Sequence, residues 1–207
     1  MRLYKSKRAP NPRRVTMFMA EKGISGIEHV VIDLLADEHK DDAFRAKNPL
    51  SQVPALELGD GRVLCETRAI CTYLEGLYPE PNLMGVDYEE RALIEMADRR
   101  AELHLFAAIV NCVRHSHPGL ATLEQPQFPD FGSSQGAKVR EVARVFDHLL
   151  AEQPYLAGAH FTIADITAFC ALEFARGLMK FQPGDEGMTH LQAYHDRIAQ
   201  RPSAAIW

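Results

Sequence analysis

Residues 48–77 constrain the chain more than any other stretch. Two short apolar segments, 53–58 and 63–65, flank Gly59-Asp60-Gly61, and the next segment carries Ile70, Leu74 and Leu77 at spacings of four and three. Turn glycines between two such segments predict a β-hairpin, and the later spacing predicts an amphipathic helix directly behind it. Val53-Pro54 opens the first strand with a residue that has no backbone N–H. Such a proline marks an edge or a special turn and admits a cis bond, which leaves neighbouring backbone groups for an extended peptide ligand rather than for the sheet. Glu66 and Thr67 stand at the start of the following helix, whose positive end suits an anion.

Upstream, residues 1–4 read as a short strand, and Ala9-Pro10-Asn11-Pro12 leads into a helix with Val15, Phe18 and Met19 on one face. This reading makes Asn11 the helix cap and Pro12 the first helical residue. Residues 29–34, rich in β-branched side chains, predict a buried strand parallel to the first, giving a right-handed βαβ unit. A polar helical segment then precedes the hairpin. The order βαβ, α, ββα is the thioredoxin-like plan.

Pro79-Glu80-Pro81-Asn82 punctuates the chain, so a thioredoxin-like domain over residues 1–78, a linker over 79–88 and an all-helical domain over 89–207 are expected. Residues 88–115 contain no Gly or Pro and form one long helical pattern, with Leu93, Met96, Arg100, Leu103 and Ala107 on a shared face. Residues 122–134 read as a mobile loop. Val139, Val142, Ala143, Phe146, Leu149 and Leu150 mark the next amphipathic helix. Thr162-Ile163-Ala164-Asp165 has the form of a capping box and opens a segment apolar on nearly all sides, which must be central. Leu191, Tyr194 and Ile198 mark the last helix.

With 207 residues, 46% of them hydrophobic, the chain has ample material for a buried core. A net charge of −5 and the lack of long Lys/Arg runs argue against nucleic-acid binding. The four cysteines are scattered, with no C-x-x-C and no His spacing for zinc, so no metal site is expected and a reducing, cytoplasmic setting is. Neither a signal peptide nor a membrane-spanning run is legible.

The combination of Asn-Pro-x-x-x-Val-Pro, Glu-Thr-Arg-Ala-Ile and, in the helical half, Phe-Thr-Ile-Ala-Asp resembles the cytosolic glutathione transferases over essentially the whole chain. Residues 35–40 and 99–120 are similar to the atypical yeast-type enzymes that lack a catalytic Tyr, Ser or Cys, and Ala9-Pro10-Asn11 is similar to the Thr-Pro-Asn of bacterial nu-type enzymes. The resemblance implies that glutathione is a cosubstrate and that no cofactor is bound permanently. It implies that the Val53 backbone pairs with the cysteinyl unit beside a cis Pro54, with Gln52 as a further contact. Glu66 would accept from the γ-glutamyl amine, Thr67 would hold the neighbouring carboxylate, and His39 or Lys40 would meet the glycine carboxylate.

A free thiol is mostly protonated at neutral pH, so something must favour the thiolate. Helix N-termini do so, and the fold implied by the resemblance aims the helix after Asn11 at the sulfur; Tyr4 belongs to the strand and Ser6 stands earlier than a catalytic serine, so Asn11 is the preferred catalytic residue, with the helix start alone as the alternative. Asn11 before a proline is also a good helix cap by itself, and the two roles are compatible. On the long helix, His104, Asn111, Arg114 and His115 are candidates for the electrophile pocket. The water-assisting Ser and His of the yeast-type enzymes align with Val110 and Arg114, so that device is not carried over. Thr162 and Asp165 are explained by capping, and Cys112 by burial.

The expected function is transfer of glutathione to a small apolar electrophile by a homodimer joined along the long helix. Glutathione-dependent disulfide or peroxide reduction is an alternative chemistry. A non-catalytic binding or regulatory protein of the same fold is an alternative class.

Overall fold

The computed structural model describes residues 1–206 and divides into two compact units, one of residues 1–82 with the chain end from Pro202, the other Leu83–Arg201. In the first unit, β1 (Arg2–Lys5) leads through α1 (Pro10–Glu21) to β2 (Glu28–Val31), which pairs parallel with β1. A 3-10 turn (Glu38–Lys40) and the short α2 (Asp42–Arg45) precede β3 (Ala55–Glu57), β4 (Val63–Cys65) and α3 (Thr67–Leu77). The sheet order is β2-β1-β3-β4, with β3 antiparallel to both β1 and β4. The hairpin turn closes through the Leu58 N–H to the Arg62 carbonyl at 2.8 Å, with Gly61 at φ +86°. Glycine takes that conformation without a Cβ clash. This is the thioredoxin-like arrangement that the order of elements predicts.

The expectation that residues 29–34 form a buried strand is corrected. β2 lies at the sheet edge, and His29 and Val31 are exposed. A run of β-branched residues signals a strand, but only its neighbours decide how many faces are covered. Leu3, Leu56, Val15, Phe18, Ile70 and Leu74 are fully buried in this unit. The Lys22 side chain is also buried, paired with Glu75 at 2.7 Å and donating to the Pro81 carbonyl at 2.6 Å. It thereby fastens the end of α1 to the segment where the unit stops. The chain end returns here too: the Arg13 guanidinium donates to the Ala204 carbonyl at 2.7 Å, and the Ser203 hydroxyl meets the Glu21 carboxylate.

The second unit is helical. α4 (Tyr88–Arg100) is capped by the Asp87 carboxylate, which accepts from the N–H groups of Glu89 and Glu90 at 3.0 and 2.8 Å. It continues through a π-helical turn (Ala101–Phe106) into α5 (Ala107–Ser116). The residues buried from it are Ile94, Ala97, Asp98, Ala101, Leu105, Phe106, Ala108, Ile109 and Val113, whereas Leu93, Met96 and Leu103 are 48%, 43% and 60% exposed. The shared face of the sequence pattern is therefore the outward face of this helix.

Residues 129–134, expected in a mobile loop, form the first turns of α6 (Pro129–Glu152). Gly132 and Gly136 make this packing possible, because a Cβ at Gly132 would lie 2.2 Å from Ser116 Oγ and 3.2 Å from the His115 backbone, and one at Gly136 3.3 Å from Cys112 Sγ. Two glycines one turn apart thus seat α6 against α5. α7 (Ile163–Leu178) is central as its composition requires, with every residue from Ile163 to Leu172 buried. α8 (Thr189–Ala199) buries Leu191, Tyr194 and Ile198.

The capping box at the start of α7 anchors the unit. The fully buried Asp165 carboxylate accepts from the N–H of Thr162 at 2.8 Å, the N–H of Leu156 at 2.9 Å, the Tyr194 hydroxyl at 2.9 Å and the Thr162 hydroxyl at 3.2 Å. Burial pushes its carboxyl up to about 6 against the pull of those donors. The folded state then holds this proton more tightly than the unfolded chain, so the group stabilises the fold most below about pH 4 and that contribution falls as pH rises through about 6. Asp165→Ala strands several buried donors and is expected to cost about 3 kcal/mol or more. Denaturation curves at acid and neutral pH are expected to show this loss, and the variant's stability is expected to decline less than wild type's between about pH 4 and pH 7.

Candidate functional site

The first unit carries a shallow cleft lined by Asn11, Asn48, Gln52, Val53, Pro54, Glu66 and Thr67. These residues come from three places: the start of α1, the segment before β3, and the junction of β4 with α3. Six of them are read from the sequence as site residues. Asn48 is the seventh, and its signal is local. Its amide donates to the Gln52 carbonyl at 2.8 Å and accepts from the Leu50 N–H at 3.1 Å, so a single buried side chain shapes the turn that delivers Gln52, Val53 and Pro54. An asparagine before proline at the head of such a turn is a recognisable local-bonding residue.

Val53-Pro54 is cis, and β3 starts only at Ala55, so the Val53 backbone stands outside the ladder. Glu66, the cap position of α3, has φ +68° and ψ 121°, and its carboxylate is exposed and does not bond the helix's own N–H groups. A non-glycine residue held at positive φ costs about 1–2 kcal/mol. The chain thus keeps a carboxylate where glycine would sit more comfortably, and leaves the start of α3 uncapped. Thr67 is buried, and its hydroxyl makes a long bond, 3.5 Å, to the Asn11 carbonyl, joining the starts of the two helices.

Asn11 is not the cap of α1, which corrects the sequence reading. The helix begins at Pro10, with Ala9 as an extended cap residue that bonds nothing through its side chain. Asn11 is the second helical residue, and its Oδ1 accepts from Arg14 Nη1 at 3.0 Å instead of from a backbone N–H. The two prolines sharpen the chemistry. Pro10 and Pro12 have no N–H, and the Arg13 N–H is bonded to the Ala9 carbonyl. The first three positions of α1 therefore offer a ligand one backbone N–H, that of Asn11, together with its side-chain amide.

Other candidates lie outside this cleft. Lys40 is exposed and paired with Asp37 at 2.8 Å, and His39 is half-buried on the same 3-10 turn. Tyr4 donates to Glu57 at 2.6 Å, and Lys47 binds the same carboxylate at 2.7 Å. The Lys47 ammonium and then the Tyr4 hydroxyl hold the Glu57 carboxyl below its ordinary value. That pair lines a separate open groove of about 270 Å³ with Ile32, Glu38, Asp41, Ala43 and Phe44, which contains none of the cleft residues. Burial pushes the Cys65 thiol up, with the neighbouring Glu66 charge adding to it, and burial does the same to Cys112. Neither is prepared as a nucleophile.

In the helical unit His104 is exposed on the π turn and Asn111 is half-buried on α5. Arg114 donates to the Leu123 carbonyl at 3.3 Å and to Glu124 at 3.0 Å, and His115 Nδ1 accepts from the Phe128 N–H at 3.2 Å. These two side chains fasten the segment after α5. The His115 ring also lies against Phe131 and Phe128, with centroids 5.1 and 5.8 Å away, and both phenylalanines are partly exposed.

Comparison with known proteins agrees on one family. The profile described as "Glutathione S-transferase, N-terminal domain" matches residues 9–77, and "Glutathione S-transferase, C-terminal domain" matches residues 132–202. The chain is 38% identical over 205 residues to glutathione S-transferase 2 of Saccharomyces cerevisiae, covering 98% of this chain and 87% of that protein. The crystal structure of a glutathione S-transferase domain-containing protein from Marinobacter aquaeolei superposes with a TM-score of 0.93 at 40% identity, covering 98% of this chain and 99% of that one. The structure of Gtt2 from Saccharomyces cerevisiae gives 0.92 at 38% identity, with 98% of each chain covered.

Since the positive φ of Glu66 is a cost carried by the free protein, Glu66→Gly is expected to leave stability unchanged or raise it by up to about 1 kcal/mol. Thermal unfolding without ligand reads this directly, and a clear loss of stability would show that the carboxylate has a structural task.

Proposed function

The chain belongs to the glutathione S-transferase family, whose enzymes use glutathione as a cosubstrate without a permanently bound cofactor, and from this premise we propose how its own residues hold the tripeptide and activate it. The observation that carries the proposal is the convergence of Asn11, Gln52, Val53, Pro54, Glu66 and Thr67 on one cleft. The cysteinyl unit pairs in extended form with the Val53 backbone, beside Gln52 and Pro54. The γ-glutamyl end meets the start of α3. Its ammonium is taken by the Glu66 carboxylate, and its carboxylate by the Thr67 hydroxyl and the uncapped N–H groups of the helix. His39 and Lys40 serve the glycine carboxylate, for which Lys40 exchanges its exposed pairing with Asp37.

Such a tripeptide brings its sulfur toward Asn11, whose N–H and side-chain amide are the donors at that helix start. Donors held in place before the reaction stabilise the thiolate without reorganising, and the thiol proton leaves to water. The thiolate then attacks the electrophile: a new S–C bond forms and the bond to the leaving group breaks, with its electron pair departing on that group. An apolar electrophile suits the second unit, where His104, Asn111, Arg114 and His115 remain the candidate contacts and the partly exposed Phe128 and Phe131 offer aromatic surface beside His115. Disulfide reduction would start from the same thiolate and differ only in that sulfur, not carbon, is attacked.

A cytoplasmic homodimer completes the reading. Support for the dimer is the outward stripe of exposed Leu93, Met96 and Leu103 on the α4 and π-helical stretch. No helix of the described residues is long and apolar enough to cross a membrane.

Retention on immobilised glutathione, followed by assays with an aryl halide and with a small disulfide, tests the reading and separates the two chemistries. Asn11→Ala is expected to lower kcat about tenfold or more while KM for glutathione changes little. Glu66→Gln is expected to raise that KM about tenfold with a smaller change in kcat. Equal turnover in wild type and Asn11→Ala would remove Asn11 from the mechanism. Leu103→Glu is expected to convert the dimer to a monomer in light scattering, and an unchanged mass would place the interface elsewhere.

A further inference from the structure

Arg14 is the largest fully buried side chain among the described residues, only 1% exposed, and it lies one turn along α1 from Asn11. Residues three apart on a helix share a face, and here the guanidinium Nη1 donates to Asn11 Oδ1 at 3.0 Å. Taking a guanidinium out of water is costly, and its permanent charge has to be used by neighbouring acceptors.

A side-chain amide has an acceptor end and a donor end, and nothing in its shape chooses between them. Arg14 makes the choice for Asn11. Rotating the amide by half a turn would set its N–H₂ against the guanidinium, donor against donor, so Oδ1 stays with Arg14 and the N–H₂ is the end left for the cleft that Asn11 lines. A cation on the amide oxygen also draws electron density from its nitrogen and makes that nitrogen a stronger donor. The other charges near the cleft do not do this. Glu66 is an anion on its rim and disfavours a second negative charge, and the Arg13 guanidinium is turned to the Ala204 carbonyl.

We propose that Arg14 is a positioning residue for the reaction: it locks the Asn11 amide with its N–H₂ toward the glutathione sulfur and strengthens that donor. The proposal rests on Asn11 being the group that meets the thiol. Arg14 itself touches neither substrate nor sulfur.

The test is the pH dependence of kcat/KM for an aryl halide at saturating glutathione, which titrates the bound thiol. It is measured for wild type, Asn11→Ala, Arg14→Gln and the double variant. Arg14→Gln is expected to raise the apparent value for the bound thiol by about one unit, which is about tenfold in rate below it, while KM for glutathione stays within about twofold. In the Asn11→Ala background Arg14→Gln is expected to add no further shift, because its effect passes through the amide. A profile that moves in Asn11→Ala and not in Arg14→Gln overturns the role of Arg14, as does a double variant whose shift is the sum of the two. A profile that does not move in Asn11→Ala overturns the assignment of Asn11, and Arg14's role falls with it.

Thermal unfolding shows whether Arg14→Gln folds. If it does not, Asn11→Asp decides: it keeps an oxygen for Arg14 and turns a second oxygen to the cleft where the N–H₂ had been. The bound thiol is then expected to titrate above its value in Asn11→Ala, and an equal or lower value overturns the proposal.

Discussion

Two helix starts left open toward one cleft are the constraint on which the first unit depends. Backbone N–H groups at a helix start need partners, and at α4 and α7 this chain supplies them from its own side chains. Asp87 caps α4, and the Thr162–Asp165 box caps α7. At α1 and α3 it does not: Ala9 cannot, and Glu66 turns its carboxylate away at a cost in backbone conformation. The Thr67 hydroxyl bonded to the Asn11 carbonyl ties these two starts together. What would be a local defect in each helix is, in the function proposed above, where the γ-glutamyl carboxylate and the central cysteinyl thiolate of glutathione are met.

Holding that geometry falls to buried polar groups around it. Asn48 shapes the turn before β3 through both ends of its amide, Lys22 fastens the end of α1, and Arg13 binds the returning chain end. Each is a charged or amide group inside a small unit, where a missing partner is expensive. The helical unit uses the same device in Asp165, whose carboxyl stays buried because four donors converge on it. Precise placement of a few polar side chains, rather than the size of the apolar core, sets the positions of the elements that bear the chemistry.

Several features were legible because they are local. The hairpin with its Gly-Asp-Gly turn, the α3 start at Glu66-Thr67 and the box at Thr162 each follow from residue types at fixed spacing, and the cis Val53-Pro54 is what the family resemblance implies. Others were not. Asn11 before Pro12 looks like a cap, yet Pro10 is already helical and Arg14 takes the amide oxygen. The shared face of Leu93, Met96 and Leu103 is legible as apolar, but only the structure shows that it is exposed and that the core lies on the side of Ile94, Ala97 and Leu105. A helical period reports that a face is apolar, not what covers it. Residues 129–134 read as loop because glycine and serine favour turns, and they are helical because Gly132 lets α6 approach α5.

The sequence by itself determined most elements, their order and the family, because hydrophobic period, turn chemistry and short motifs act over a few residues. Only the tertiary structure decided that Asn11, Asn48, Gln52, Val53, Pro54, Glu66 and Thr67 share one cleft, that Tyr4 is spent on Glu57, and that a buried arginine holds the oxygen end of Asn11. Those facts depend on which side chains face one another across distant parts of the chain, and on which of two ends of an amide finds a donor first. Neither is encoded in spacing.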